Sequence, residues 1–434
     1  MLDEVGSDEG LRLHELIARL FPLPRSLTGA GVRSTLAVLG ERLPLEIHEV
    51  PSGTQVLDWT VPLEWQVRSA RILRPDGSIL VDWTDSPLHL LGYSVPFRGR
   101  LPLADLLQHL HTLPEQPSVT PYRTAYYSSA WGFCLPHERL ADLPEGEYEV
   151  LVDTTLVPGF LTYGELVLPG QEDGEVLITA HVCHPAQAND NLSGVVLAAA
   201  LAERLAGVGQ RRWTYRFLFA PGTLGAIAWL DQHRDDVHRV HAGLVLTGLG
   251  DASPPSYKRS RRGDTHIDRA VAHVLQHEAP GSRLLPFSPY GYDERQFCSP
   301  GFNLPVGRFG RGVHGEYPEY HTSADDLSFV GPDQLAESLS LLIKIVGLLE
   351  RDRTYRSTAP YGEPQLGPRG LYRGTGAVAM KRADLEMSLL WVLNLADGEN
   401  SLLDMAERSA LAFPQVAEAA ARLVEAGLLI DVAP

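Results

Sequence analysis

Apolar residues recur at helical spacing through EGLRLHELIARLFP (9–22), from Leu11 to Leu20, which predicts an amphipathic helix. Ser26 to Gly31 reads as a cap before a second helix near Val32–Leu43. From about 55 to 145 the pattern changes to short β-like runs (VLDWTVPLEWQV, ARILRPDGSILVDW, HLLGYSVPF) punctuated by proline and by the hairpin signal Asp76-Gly77. Short helical patches near 101–112 and 136–142 complete a compact α+β module. After 145, strand-like EYEVLVDTTL, GELVLPG and EVLITAHV lead into the small-residue helix SGVVLAAALAERLAGVG. Strand YRFLFA, helix LGAIAWLDQHRDD, strand AGLVLTGLG, helix HIDRAVAHVLQHE and a last helix over 332–350 follow. Strands alternating with helices predict an α/β fold, three layers α/β/α around a mostly parallel sheet. Sites in such sheets lie at the carboxyl ends of strands.

Residues 354–374 are rich in Pro, Gly and Tyr and read as a linker. A helix over 383–395, helical SLLDMAERS and QVAEAAARLVEAG, and strand LLIDV have the order of a winged helix. The expected domains are 1–54 with 146–353, an insert over 55–145, the linker 354–374, and a winged-helix-like domain over 375–434.

Composition narrows the function classes. The chain has 434 residues, 44% of them hydrophobic, so it can bury a core and is not a disordered polymer. A formal net charge of −17 argues against nucleic-acid or anionic-membrane partners. Residues 376–427 carry Lys381, Arg382, Arg408 and Arg422 against Asp384, Glu386, Asp397, Glu399, Asp404, Glu407, Glu418 and Glu425. A DNA reader needs the opposite balance, so packing or protein recognition is the expected role there. Cys134, Cys183 and Cys298 are too few for a disulfide framework. The acidic start, MLDEVGSDEG, lacks a secretory pattern, and no apolar run is long enough to span a bilayer. A cytoplasmic location is therefore expected.

ITAHVCHPAQANDNLSG (178–194) carries the densest chemistry. A strand delivers His181 and His184 into a loop that ends at Asp190 and opens a helix. Nitrogen and oxygen donors of this kind suit zinc, although Asp190 could equally cap the helix. EYPEYHTSADD (316–326) places His321 among acids, where a carboxylate can orient an imidazole. YGYDERQFCSPG packs Asp293, Glu294, Arg295 and Gln296 into one polar run. YKRSRRGD offers Arg261 and Arg262, which suit an anionic small-molecule substrate or pair with nearby acids. Gly310 to Gly315 matches G-x-G-x-x-G but opens no helix, so a dinucleotide site is excluded.

Together, the DNLSG and HTSADD segments resemble those of the zinc aminopeptidases related to bacterial leucine aminopeptidases. A closer resemblance covers almost the whole chain. It is to bacterial M28-related aminopeptidase-like proteins with an inserted α+β domain and a C-terminal winged helix (DUF4910/DUF2172 type), on HVCHPAQANDNLSG, WGFCLPH, DERQFCSPGFNLPVG and EYPEYHTSADD. The resemblance implies metal ligands at His181 or His184, Asp190 and His321, a substrate-side role for the 290–301 loop, and a surface-carbohydrate or specialised-metabolite pathway.

Departures from the family pattern are specific. Cys183 replaces an Asp, Pro221-Gly222-Thr223 lacks the usual catalytic Glu, and Thr247 stands near a lost metal-binding Asp. About one zinc ion per chain is therefore expected, with Glu294 or Glu319 as substitute base. The expected activity is hydrolysis of an amide in a small amino-acid or amino-sugar conjugate. The alternatives are a metal-binding pseudoenzyme that recognises a ligand or partner, and an acyl-transfer enzyme using the same site. Homo-oligomerisation is left open.

Overall fold

The two N-terminal amphipathic stretches fold as helices Glu9–Leu20 and Ala30–Gly40 in the computed structural model, which describes residues 5–6, 8–371 and 379–432. Leu13, Ile17 and Leu20 make the buried stripe of the first helix, while Leu11 faces solvent.

The large sheet has eight strands. Their spatial order is Glu46–Pro51, Phe160–Leu168, Thr214–Ala220, Glu175–His181, Val240–Leu246, Val306–Arg311, Pro255–Lys258 and Arg283–Leu285. Strands 214–220, 175–181, 240–246 and 306–311 pair in parallel, and the antiparallel pairs lie towards the edges. Every residue of Glu175–His181 is buried, as expected for a parallel strand covered on both faces. The chain leaves this strand for 214–220 on one side and then crosses to 240–246 on the other. Its carboxyl end is therefore a switch point, the place where α/β sheets open a crevice.

The insert carries a four-stranded antiparallel sheet in the order Ile79–Asp82, Glu64–Leu73, Glu147–Val157 and Phe97–Pro102. Here the sequence expectation needs correction. EYEVLVDTTL, read as the first strand of the α/β half, is the long central strand of the insert, which carries that module beyond residue 145. Alternation along it buries Tyr148, Val150 and Val152 against Ala70 and Ile72. Local pattern did not distinguish this half-buried strand from one in the main sheet.

By contact the chain divides into two units, residues 2–265 with 283–340, and residues 266–282 with 341–434. In the second unit, Thr354–Ser357 is not linker. It is the middle strand of a three-stranded sheet between Asp397–Ser401 and Leu429–Asp431. Residues 372–374 of the expected linker lie outside the described residues. Helices Ala379–Leu395, Leu402–Ser409 and Phe413–Glu425 complete the winged-helix arrangement. Ser401 and Asp404 form a capping box at the second of these helices. Helix His266–Glu278, read from sequence with the α/β half, belongs to this unit. Arg269 pairs with Asp404 and Glu407, and His273 Nε2 accepts the Phe413 N–H at 3.0 Å.

Candidate metal centre

His181 is the last residue of the central strand, so the fully buried sheet aims its imidazole into the crevice. Residues Ala188–Ser193 form a wide turn before helix Gly194–Ala206. A Cβ on Gly194 would overlap the Leu246 carbonyl oxygen, so only glycine lets this helix start against the neighbouring strand. The turn is held from several sides. Asp325 accepts the N–H groups of Asn189 and Asp190 at 2.6 and 2.9 Å. The Asn189 amide donates to Asp251 at 2.9 Å and accepts from Gly250 N–H at 2.8 Å. Burial pushes the Asp325 carboxyl up to about 7.

Three imidazoles converge on Asp190. His181 Nε2 lies 3.0 Å from Oδ1, and His184 Nδ1 and His321 Nε2 lie 3.2 and 3.1 Å from Oδ2. His321 reaches in from a backbone in the left-handed region (φ 55°). Its carbonyl accepts the Tyr122 N–H at 2.8 Å, tying the insert to the site. The Tyr122 ring stands edge-on to His184 and His321, with centroids 5.2 and 5.1 Å away.

The donor set fits a metal ion. Ligand atoms of His181, His184 and Asp190 all lie within 4.8 Å of one another, two nitrogens and one oxygen of the kind zinc accepts. Asp190 Oδ1 is buried and makes no well-aligned hydrogen bond, although His181 Nε2 is only 3.0 Å away. That unsatisfied oxygen has capacity for a further partner, while His181 Nε2 also meets His184 Nδ1 at 3.3 Å. His321 joins through Asp190 rather than as a member of that mutual set. Burial lowers His181 to about 4 and also lowers His321. Burial opposes the charge on Asp190, yet the imidazoles of His184, His181 and His321 hold it well below the usual carboxylate range. Neutral imidazoles around a carboxylate are the protonation state that metal binding requires. His184 behaves differently: burial opposes its charge, but Cys183 and Asp190 beside it raise it well above an ordinary histidine.

The other sequence candidates are placed as follows. Asp293 is buried with neither carboxylate oxygen hydrogen-bonded, and burial pushes it up to about 8. Glu294 is fully buried against Lys258, 2.5 Å away, which in turn donates to the Ser288 and Tyr290 carbonyls. Burial raises Glu294, but Arg308 and Lys258 outweigh that and lower it. It braces the loop from behind and is not among the converging ligand atoms. Arg295 is exposed and Gln296 half-buried in the short helix Glu294–Phe297. Glu319 is half-buried, and its backbone carbonyl accepts from Thr322. The basic run divides: Lys258 ends a buried strand, whereas Arg261 and Arg262 are exposed, with Arg261 reaching Asn303 at 3.3 Å.

Sequence reasoning missed Tyr292 and Arg25. The Tyr292 ring packs on His181 at 3.9 Å, and its hydroxyl lies 3.2 Å from His184 Nε2 and 3.5 Å from Cys183 Sγ. Arg25 is buried, with Nε donating to the His184 carbonyl at 2.8 Å and Nη1 to the Leu20 carbonyl at 2.5 Å. Burial lowers its guanidinium to about 10, so it stays charged at neutral pH. Both lack a local signal: one lies one residue before the polar run, the other one residue before what read as a helix cap.

A family model described as a domain of unknown function, DUF4910, matches residues 14–352. The chain belongs to the DUF4910 family. A winged helix-turn-helix model matches residues 353–431 of this DUF4910 chain. A Clostridium acetobutylicum protein, provisionally named for polysaccharide biosynthesis with an aminopeptidase-like domain, is 43% identical over 98% of this chain and 97% of its own length. A crystal structure from Clostridium acetobutylicum, provisionally described as a peptidase, is 42% identical with a TM-score of 0.93, covering 98% of this chain and 97% of that one. A zinc aminopeptidase from Bacillus subtilis has a TM-score of 0.58 at 13% identity, covering 80% of this chain and 96% of that one, a likeness of fold. Among the described residues, no helix is long and apolar enough to cross a membrane.

Proposed function

We propose that this DUF4910 chain is a metal-dependent hydrolase of an amide bond in a small amino-acid or amino-sugar conjugate, serving a surface-carbohydrate or specialised-metabolite pathway. The observation that carries this reading is the convergence of His181, His184 and His321 on Asp190 at the carboxyl end of the central strand. The Bacillus subtilis fold relative supports the reaction class, and the name of the Clostridium acetobutylicum relative supports the pathway.

His181, His184 and Asp190, with His321 alongside, would hold about one zinc ion per chain. When bound, zinc supplies a Lewis acid and a bound water of lowered pKa. The chain's own groups orient and shield. Tyr292 fixes the His184 imidazole, and Tyr122 closes one side against water. Asp325 holds the turn that presents Asp190. Lys258 engages Glu294, and residue 222 has no side chain, so of the two carboxylates read from sequence Glu319 remains as the base. Simple amino-acid anilides are accordingly poor substrates.

A second reading, recognition of a ligand without turnover, is favoured by the Tyr292 ring, which fills the space beside Gly222. Elemental analysis combined with mass-spectrometric assay of aminoacyl amino-sugar amides distinguishes the two. Hydrolysis requires zinc near one equivalent and product formation, both lost in Asp190→Asn. Zinc binding with no product from any amide tested selects the second reading.

A further inference from the structure

A cavity of about 380 Å³ is lined in part by Tyr122, whose ring also stands edge-on to His184 and His321. Its walls come from the segment that joins the first two helices, from the insert, and from Pro185, the residue after His184; none of the candidate metal ligands lines it. Four aromatic side chains line it, Trp65, Trp83, Tyr122 and Tyr126, together with the polar side chains of Ser26 and Thr28. A volume near the lower end of the usual ligand range, with aromatic walls and a few polar groups, suits one ring-sized molecule.

The electrostatics of this cavity are unusual. Arg25 lines it, is 2% exposed, and spends two of its nitrogens on backbone carbonyls. Its remaining nitrogen, Nη2, is buried with no hydrogen-bond partner. Among the described residues, no carboxylate pairs with Arg25. Leaving a charged donor unsatisfied costs more than the net value of an ordinary hydrogen bond, so the arrangement asks for an acceptor. The N-terminus of helix Ala30–Gly40 lies at the same cavity through Ala30 and Gly31, and Gly29 before it supplies no capping side chain. A Cβ on Gly31 would overlap the Pro24 carbonyl oxygen, so glycine is what lets this helix end sit against the Arg25 segment. First-turn N–H groups and the helix dipole favour negative charge. Glu64 also lines the cavity, but Arg33 holds it through two hydrogen bonds of 3.0 and 2.7 Å.

We propose that this cavity is a binding site for a carboxylate carried on a sugar-sized ring, with the acid group between Arg25 and the first turn of the Ala30–Gly40 helix and the ring against the tryptophans and tyrosines. One buried guanidinium with one free nitrogen matches a monoanion better than a phosphate dianion. Guanidinium–carboxylate pairing supplies the directionality. The site stands independently of turnover at the metal centre.

Calorimetric titration of the full chain with D-glucuronate, D-glucose and inorganic phosphate tests the site. Glucuronate is expected to bind at least tenfold more tightly than glucose or phosphate. Arg25→Met should abolish that binding. Because Arg25 also holds the His184 segment, Ala30→Glu is the second variant. Residue 30 is exposed at a helix first turn, where an acid favours the helix, so this variant should fold while losing at least tenfold in glucuronate affinity. Equal binding of glucose, tighter binding of phosphate, an unchanged affinity in Ala30→Glu, or no glucuronate binding up to ~10 mM would each overturn the assignment.

Discussion

The ring of Tyr292 occupies the space that a side chain at residue 222 would need: a Cβ built on Gly222 overlaps Cε1 of Tyr292. Absence of the usual glutamate and presence of this tyrosine are therefore one packing solution. Gly222→Ala is expected to destabilise the chain by ~1–3 kcal/mol, the usual cost of overpacking. Gly222→Glu alone should fail to raise hydrolysis of leucine anilide, because the new carboxylate has no room. Urea midpoints for Gly222→Ala, with and without Tyr292→Ala, check the first point. A smaller cost of Gly222→Ala in the Tyr292→Ala background than in the wild type is the expected sign that the two positions share one space.

The Asp325 side chain accepts the N–H groups of Asn189 and Asp190 in the metal-binding turn, and its backbone carbonyl accepts that of Ala188. Asp325→Asn replaces one accepting oxygen with a donor and should loosen Asp190. Zinc affinity is expected to fall ~10–100-fold, the usual effect of disturbing a ligand's support. Competition with a chromophoric chelator measures it. Asp190→Asn should remove the zinc altogether.

Under the main sheet, Arg216 is held between Glu165 (2.8 Å) and Glu175 (2.7 Å), and the Trp229 indole donates to Glu165 at 2.7 Å. Arg216→Met would strand two buried carboxylates. A loss of ~3–5 kcal/mol in unfolding free energy is expected, read by denaturant titration at neutral pH. Adding Glu165→Gln and Glu175→Gln to Arg216→Met should return part of it.

In the C-terminal unit, burial lowers His273 to about 4, and its Nε2 accepts the Phe413 N–H. In the unfolded chain the same imidazole titrates near 6.5. The unfolded state therefore takes up the proton first as pH falls, so the contribution of His273 is full above about 6.5 and is lost progressively towards 4. Going from pH 7.5 to 5 should cost ~1–2 kcal/mol at this site. His273→Asn is expected to flatten that part of the pH dependence of thermal unfolding.

The last helix of the winged-helix arrangement, Phe413–Glu425, has Arg422 paired with Glu418 and carries Glu425 as well. DNA affinity at physiological salt should not exceed the nonspecific range of ~10⁻⁴–10⁻⁶ M. Fluorescence anisotropy with random and palindromic duplexes checks this, and sequence-selective nanomolar binding would contradict it.

Much of this protein was determined locally. Helical periodicity placed Glu9–Leu20, a run of small residues after a strand marked Gly194–Ala206, and strand–helix alternation located the parallel sheet. His181, His184 and Asp190 stood out as donors at a strand end, and the family resemblance added His321 and the expectation of a shared metal. Tertiary structure decided what depends on distant partners. Glu147–Val157 has the same alternation whichever sheet it joins, and only its pairing with Glu64–Leu73 and Phe97–Pro102 placed it in the insert. Glu294 read as a free acid until Lys258, 36 positions earlier, was brought against it. Arg25 carried no reading in the sequence; folding removed it from water with one nitrogen unsatisfied. Periodicity reports which face of an element is buried, but not against what. The charge and reach of a buried polar group are set by neighbours that the chain supplies from far away.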